Sequence, residues 1–492
     1  MARWTLHVPI EDDHPQPLTT RIAHAIVQEI RRGRLRPGDA LPGSRTLASS
    51  LGVHRNTVLA AFDALRAEGW IEAESARETR VAAALPEARA KRFSARAEPR
   101  AALPEQPGFS LTPSPPPRER EEEPGAIALF GGQPDLGLFP VDAYARAFRR
   151  ALKMRQKTLL DYGSPVGHPA LRRAVAQMLS SLRAVAAREE NVLVTRGSQQ
   201  ALDLLARALI APGQVVAVES MGYGPAWQAF RSAGAAVEPI TVDAHGINVD
   251  ELDALCQRTE VRAVYVTPHH QYPTTVTLSA ARRMALLALA KRRSIAIIED
   301  DYDHEFHYEG RPVLPLASGD PDGHVVYIAT LSKMLAPGLR VGFVVAPAAL
   351  IDALARWRVY VDRQGDRVME AALAEMIEEG ELARHARRAR LAYLERRDAL
   401  AEALRKELGE ELAFEVPRGG LALWARLVGR RGADGFCERA RSQGVLVQRT
   451  RTMAFDGGDR PWVRLGFAGN DPTLLREAAR RLRRAVRATS TR

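Results

Sequence analysis

Apolar positions near the start of the chain recur at helical spacing. Within residues 17–33, Ile22, Ala25, Ile26 and Ile30 share one face, which predicts an amphipathic helix. The chain then turns at RGRLRPGDALPGS, and Ser44 stands as N-cap for a short helix, SRTLASSL, that Gly52 closes. After GVHRN, Val58, Ala61, Phe62 and Leu65 repeat the spacing of a packed helix, ended by Gly69. Two short helices joined by a tight glycine turn make a helix-turn-helix, whose second helix enters the DNA major groove by its N-terminal end. That end carries His54, Arg55, Asn56 and Thr57.

From residue 83 to 125 the apolar period is lost in a stretch with nine prolines, which reads as a linker. A coil of about 40 residues spans roughly 35 Å. From Ile127 onward a different pattern begins. Short apolar runs (NVLVTRG, VVAVES, AVYVTP, SIAIIED, VVYIAT, VGFVVAP) alternate with helical patterns such as SQQALDLLARALI. This alternation predicts a doubly wound, mainly parallel sheet with ligands at the carboxyl ends of its strands. After about residue 350 helices return, followed by a small α+β segment containing PRGGLALWARL, GVLVQR and WVRLGF. The chain is therefore divided into a head, 1–82, a linker, 83–125, and a body, 126–492. The body's large domain runs over about 160–350 and its small C-terminal subdomain over about 360–492.

Charge sharpens the picture of the head. The net charge of +11 decides little alone, but residues 21–66 hold eight arginines against three acids, a footprint suited to a polyanion. The basic C-terminal run ARRLRRAVRATSTR reads as a solvated helix face. Hydrophobic content of 46% is that of a globular protein. Two cysteines distant in sequence, Cys256 and Cys437, exclude a disulfide framework and suggest a reducing compartment. No apolar run reaches the roughly 18 residues of a membrane span, and MARWTLHVPIEDDHPQPL lacks the core of a signal peptide. These features lead to the expectation of a cytoplasmic protein.

Candidate chemistry gathers at the strand ends. Lys333 follows VVYIAT in a hydroxyl-rich turn, and a nucleophilic lysine needs desolvation or a neighbouring cation, for which Arg340 is placed. Thr330, Ser332 and Arg340 supply the donors a phosphate needs. An amine beside a phosphate site suggests pyridoxal 5'-phosphate (PLP). Asp300, ending SIAIIED, can keep a pyridine nitrogen protonated, and Tyr302 can bond a ring hydroxyl. Gly197, Ser198 and Gln199 open a helix whose N-terminus favours phosphate. His269 and His270 read as loop hydrogen-bonders, with no third ligand spaced to join them, so no metal is expected.

The segments SKMLAPGLRVG and EDDYDHEF resemble those of the fold type I aminotransferases, and the chain as a whole is similar to the GntR/MocR regulators, in which such a domain follows a winged helix. The resemblance implies a multidomain protein: an α+β winged helix-turn-helix, then an α/β aminotransferase-like domain with a small α+β subdomain. Lys333 would carry PLP as a Schiff base, Asp300 would face the pyridine nitrogen, Tyr302 the ring hydroxyl and Arg340 the phosphate. Gly197–Gln199 would form the phosphate cup, and Tyr223 would stack on the ring. FGGQPDLGLFP is similar to the family's gate segment. Tyr162 would reach the phosphate of a neighbouring subunit, which implies a homodimer. Arg464 would pair with a substrate or effector carboxylate, with Arg449 and Arg451 next in line. In TPHHQYPTTV, Tyr272 stands where aminotransferases have an asparagine. In the winged helix Arg45, Arg55, Asn56 and Thr57 would contact DNA. His54 replaces a serine there, and the wing has SARETRV in place of a glycine-rich turn, leaving Arg77 and Arg80 to reach phosphates. The function implied is a PLP-dependent transcriptional regulator that binds double-stranded operator DNA and senses PLP or an amino compound. The alternative is an aminotransferase with an accessory head, and residual transaminase chemistry fits either.

Overall fold

Helix α1 (Leu18–Arg31) buries Ile22, Ala23, Ile26, Val27 and Ile30, with Ala25 at the margin of this face. Helix α2 (Ser44–Leu51) contributes Leu47, Ala48 and Leu51, and α3 (Arg55–Ala67) contributes Val58, Ala61, Phe62 and Leu65. Ser44 is not an N-cap but the first residue of α2. Its hydroxyl accepts instead from Arg55 Nε at 3.4 Å. Gly52 ends α2 at φ +66°, a left-handed conformation that costs glycine little. An antiparallel hairpin of β1 (Ile71–Ser75) and β2 (Glu78–Val81) completes this unit. The computed structural model describes residues 17–75, 78–86, 105–111 and 123–487, and the chain divides into two compact units between Pro113 and Ser114. The first sixteen residues, Arg77 and most of the predicted linker lie outside the described residues.

The second unit opens with β3 (Ile127–Ala128), α4 (Val141–Leu159) and α5 (Pro169–Arg183). Strands and helices then alternate through β4 (Val192–Thr195), α6 (Gly197–Leu209), β5 (Val215–Glu219), α7 (Gly224–Ser232) and β6 (Ala236–Ile240). A small ribbon, β7 (Val242–Asp243) with β8 (Gly246–Ile247), leads to α8 (Val249–Arg258) and β9 (Val261–Val266). Next come α9 (Ala280–Arg293), β10 (Ala296–Asp301), β11 (Val325–Thr330) and β12 (Gly342–Val345). Seven of these strands form one sheet in the order β4-β12-β11-β10-β9-β5-β6. All neighbours are parallel except β12, which runs antiparallel to both β11 and β4. The six predicted runs are all present. The seventh strand, AVEPI, sits at the edge, where Pro239 removes no interior ladder bond.

Successive residues of β10 serve opposite faces of the sheet: Ile298 packs with Leu204, Phe230 and Ile328, whereas Ile297 packs with Val264, Leu286 and Leu289. Burial on both sides explains why these strands read as unbroken apolar runs. Helices α10 (Ala348–Val361), α11 (Arg367–Glu378) and the 28-residue α12 (Glu381–Leu408) follow, with Gly380 at φ +73° separating the last two. The C-terminal part is an antiparallel sheet of β13 (Leu412–Phe414), β14 (Ala422–Leu427) and β16 (Trp462–Gly466); α13 (Asp434–Ser442) and β15 (Val445–Leu446), which pairs with β3, lie between β14 and β16, and α14 (Pro472–Arg487) follows. No helix among the described residues is long and apolar enough to cross a membrane. Strands β4, β11, β10, β9 and β5 share one direction, so their carboxyl ends line one edge of the sheet.

Candidate functional site

Lys333 sits in the turn after β11. The Thr330 hydroxyl donates to the Val341 carbonyl at 3.1 Å and accepts from Ser332 N–H at 3.2 Å. Thr330 therefore holds the lysine turn and is not the available phosphate donor its spacing suggested. Burial lowers the Lys333 ammonium below its ordinary value, and the Arg464 guanidinium adds to this, against Asp300 and Asp303. Arg340, the cation chosen from sequence, is the smallest of these influences.

Asp300, at the end of β10, accepts from the Tyr265 hydroxyl at 2.8 Å through Oδ2. Its Oδ1 is buried without a hydrogen-bond partner among the described residues. Burial pushes this carboxyl up to about 7, opposed by the Tyr265 hydrogen bond. Nearby Glu219 ends β5, accepts from the Thr267 hydroxyl at 2.8 Å, and is likewise raised by burial to about 7. Tyr265 escaped notice in the sequence because it stands inside an apolar run, and Glu219 because it closes one with no second acid beside it. The Tyr302 hydroxyl donates to the His270 carbonyl at 3.0 Å.

A second cluster forms where β4 meets α6. Helix α6 begins at Gly197 with no side-chain cap, leaving its first N–H groups directed out of the helix end. Gly197 has φ +76°, and a Cβ there would come within 3.1 Å of Arg340 Nη2, so the guanidinium lies against this turn. Arg340 Nη2 donates to the Arg196 carbonyl at 3.1 Å. Ser332 Oγ is buried with no partner among the described residues. The Gln199 amide donates to the Pro225 carbonyl at 3.2 Å, while Ser198 takes the second position of the helix.

On β16, Arg464 is 1% exposed, and its Nε and Nη1 have no hydrogen-bond partner among the described residues. Its guanidinium lies 4.9 Å from the Tyr272 ring centroid. The gate segment passes over it: a Cβ on Gly131 would be 2.6 Å from Arg464 Nε, and one on Gly132 would be 3.8 Å from Lys333 Nζ. Tyr223 meets Tyr272 edge to face at 5.8 Å, and the Tyr272 hydroxyl accepts from Gln448 Nε2 at 2.9 Å. Arg449 and Arg451 instead pair with Glu438 and Asp434 at 2.5 and 2.7 Å. Tyr162 is 71% exposed, with Arg363 over its ring at 4.1 Å, and is not part of this pocket in its own chain. His269 and His270 do have a third imidazole to join them: a ligand atom of each lies within 4.8 Å of one on His307.

Residues 127–482 match the family Aminotransferase class I and II, and residues 18–81 match Bacterial regulatory proteins, gntR family. The chain belongs to the GntR/MocR family. It is 34% identical over 476 residues to the probable rhizopine catabolism regulatory protein MocR of Rhizobium meliloti, covering 97% of this chain and 95% of that one. It is 31% identical to the transcriptional regulator TauR of Rhodobacter capsulatus, over 98% of this chain and all (100%) of TauR. Among solved structures, the body resembles LysN, an alpha-aminoadipate aminotransferase of Thermus thermophilus complexed with N-(5'-phosphopyridoxyl)-L-leucine. The TM-score is 0.69 at 30% identity, covering 74% of this chain and 93% of LysN.

The aminotransferase fold of this GntR/MocR chain is that of a PLP-dependent family. The residues present fit that cofactor: a desolvated amine at Lys333, an unpartnered carboxylate oxygen at Asp300, an uncapped helix start at Gly197, an unpartnered hydroxyl at Ser332 and a cation at Arg340.

The head, a gntR-family domain, implies DNA binding. Arg45, His54, Arg55 and Asn56 are exposed, and Thr57 is half-buried. His54 caps α3, its Nδ1 accepting from Asn56 N–H at 3.2 Å. Arg80 is engaged within the head, donating to the Gly38 carbonyl at 3.0 Å and to Glu78 at 2.9 Å. These bonds brace the hairpin.

Proposed function

We propose that the protein is a PLP-dependent transcriptional regulator whose head binds operator DNA and whose body senses PLP or an amino acid. The observation that carries this reading is Arg464, a buried guanidinium with unpartnered N–H groups beside the Lys333 amine. Tyr302 and the Tyr272 ring engage only part of the guanidinium; its remaining buried N–H groups are costly, and a ligand carboxylate relieves that cost through charge-assisted bonds. The regulators reported above match over head and body together, whereas the aminotransferase LysN matches the body alone. The domain limits proposed are 1–82, 83–125 and 126–492.

When bound, PLP supplies an aldehyde that takes up amines and a ring that withdraws electrons. Lys333, with its ammonium pKa lowered, would supply the amine that holds it. Asp300, buried and bonded by Tyr265, would face the ring nitrogen and favour its protonated form. Tyr302 is assigned to the ring hydroxyl and Tyr223 to the ring face. Gly197, Ser198, Gln199, Ser332 and Arg340 are assigned to the phosphate, with Thr330 fixing the turn. Tyr162 is assigned to a second subunit's site, and its exposure in its own chain supports a homodimer. In the head, Arg45, His54, Arg55, Asn56 and Thr57 form the DNA surface. An amino acid that binds one arrangement of the dimer better than another shifts operator affinity by that difference.

The test is to record visible absorbance of the full-length protein while titrating amino acids and simple amines, and to follow operator binding by anisotropy in parallel. Coupled changes in both signals support the regulator. Rapid turnover of amino acid to 2-oxo acid with operator binding unmoved identifies an aminotransferase with an accessory head.

A further inference from the structure

The loop after β9 and the segment after β10 bring four imidazoles together, and the cofactor site uses none of their rings. His269 and His270 come from the first, His304 and His307 from the second. The His269 ring centroid lies 4.3 Å from that of His270, 4.6 Å from that of His304 and 6.1 Å from that of His307. One ligand atom from each of His269, His270 and His307 falls within 4.8 Å of the other two.

Their hydrogen bonding is incomplete in a telling way. His269 is 3% exposed, yet neither ring nitrogen has a hydrogen-bond partner among the described residues, and Nδ1 of His307 is also buried and unpartnered. A neutral imidazole carries one donor and one acceptor, and no described protein group meets either on this buried ring, so its lone pair is available to a metal ion. His270 is held differently. Its Nδ1 bonds Asp303 Oδ1 at 2.8 Å, and Asp303 is fully buried. This pairing leaves Nε2 as the open nitrogen and is the arrangement by which carboxylates orient metal-bound imidazoles. A Cβ at Gly419 would lie 2.4 Å from His270 Nε2, so glycine there lets the backbone of the C-terminal part approach this imidazole closely.

We propose that His269, His270 and His307 bind a divalent transition-metal ion of the imidazole-preferring class, for which Zn2+ is the probe, with Asp303 as the positioning residue. Three imidazoles leave one tetrahedral position for solvent or an exogenous ligand. The site touches both halves of the body. The His270 carbonyl accepts from the Tyr302 hydroxyl, while the His307 backbone bridges to Gly419 and Tyr308 N–H donates to the Arg418 carbonyl at 2.8 Å. A bound ion thus ties the loop beside the cofactor pocket to the C-terminal subdomain.

The test uses untagged full-length protein, stripped with a chelator and titrated with Zn2+ against a chromophoric competitor. Stoichiometric uptake is expected, together with at least roughly tenfold weaker binding in His269→Gln and in His307→Gln. Asp303→Asn should weaken it by roughly 10–100-fold. His245→Gln, on an exposed turn, should change nothing. Metal content is read without reference to PLP, so failure of the cofactor assignment leaves this result untouched. Wild type that takes up no Zn2+, or uptake retained in both histidine variants, overturns the proposal in favour of a water-bridged or proton-sharing cluster. Should the variants not fold, Co2+-loaded wild type decides. Tetrahedral visible bands support the site, and the spectrum of aqueous Co2+ overturns it.

Discussion

Replacing Arg464 with methionine should separate stability from sensing, and with opposite signs. The guanidinium is 1% exposed, and two of its nitrogens lack partners among the described residues. Each unsatisfied buried donor costs about 1–3 kcal/mol, against about 0.5–2 kcal/mol gained from lying over the Tyr272 ring. Methionine fills a similar volume without a charge, so the free variant should unfold at the same temperature as wild type or higher. With an amino acid bound the balance reverses, because truncating one member of a buried charge pair costs about 2–5 kcal/mol. The half-saturating amino-acid concentration in the absorbance titration should rise by roughly 30- to 5,000-fold. PLP retention should be unchanged, since the phosphate is assigned to Ser332, Arg340 and the start of α6. Response to a simple amine should also persist. A variant that answers amino acids at wild-type concentrations would refute the carboxylate role, and Arg449 and Arg451, already paired to acids, would be poor substitutes.

Two further predictions concern pH and DNA. Glu219 is raised by burial to about 7, so the folded protein binds a proton that the unfolded chain releases above its ordinary value near 4.5. The stability this confers is complete below about pH 4.5 and is lost by roughly 3 kcal/mol as pH rises to about 7. Glu219→Gln should flatten that part of the stability–pH curve in cofactor-free protein, and an unchanged slope would show that the carboxyl is not protonated there. In the head, Arg55→Ala should weaken operator binding by about 1–3 kcal/mol and relax sequence preference if it reads a base. A uniform loss across sequences with a shallower salt dependence would place Arg55 on a phosphate instead.

The head was legible because each buried helical face is a local repeat, and the lysine turn was legible because Thr330, Ser332 and Arg340 are close neighbours of Lys333 in sequence. What was missed depends on register. Tyr265 pairs with Ile298 across β9 and β10, and Asp300 lies two residues further on the same face, so only the sheet brings hydroxyl and carboxyl together. The reversal of β12 was hidden because VGFVVAP is apolar whichever way it runs. AVEPI was passed over because an exposed edge strand with a proline lacks the apolar run of its neighbours. Spacing pointed to Arg340 as the cation beside Lys333, but the fold folds Arg464 in from the far C-terminal sheet. The same distance hid His307 from His269 and His270.

The measurement that bears most directly on the account is operator binding by full-length wild type and Lys333→Ala, with and without PLP, while visible absorbance is recorded on the same samples. Wild type should hold a visible band and change its operator affinity when PLP is added. Lys333→Ala should lack the band and keep a single operator affinity whatever the PLP concentration, because the head is intact and the sensing amine is gone. A Lys333→Ala protein that retains the band, or whose DNA binding still follows PLP as wild type does, would contradict it.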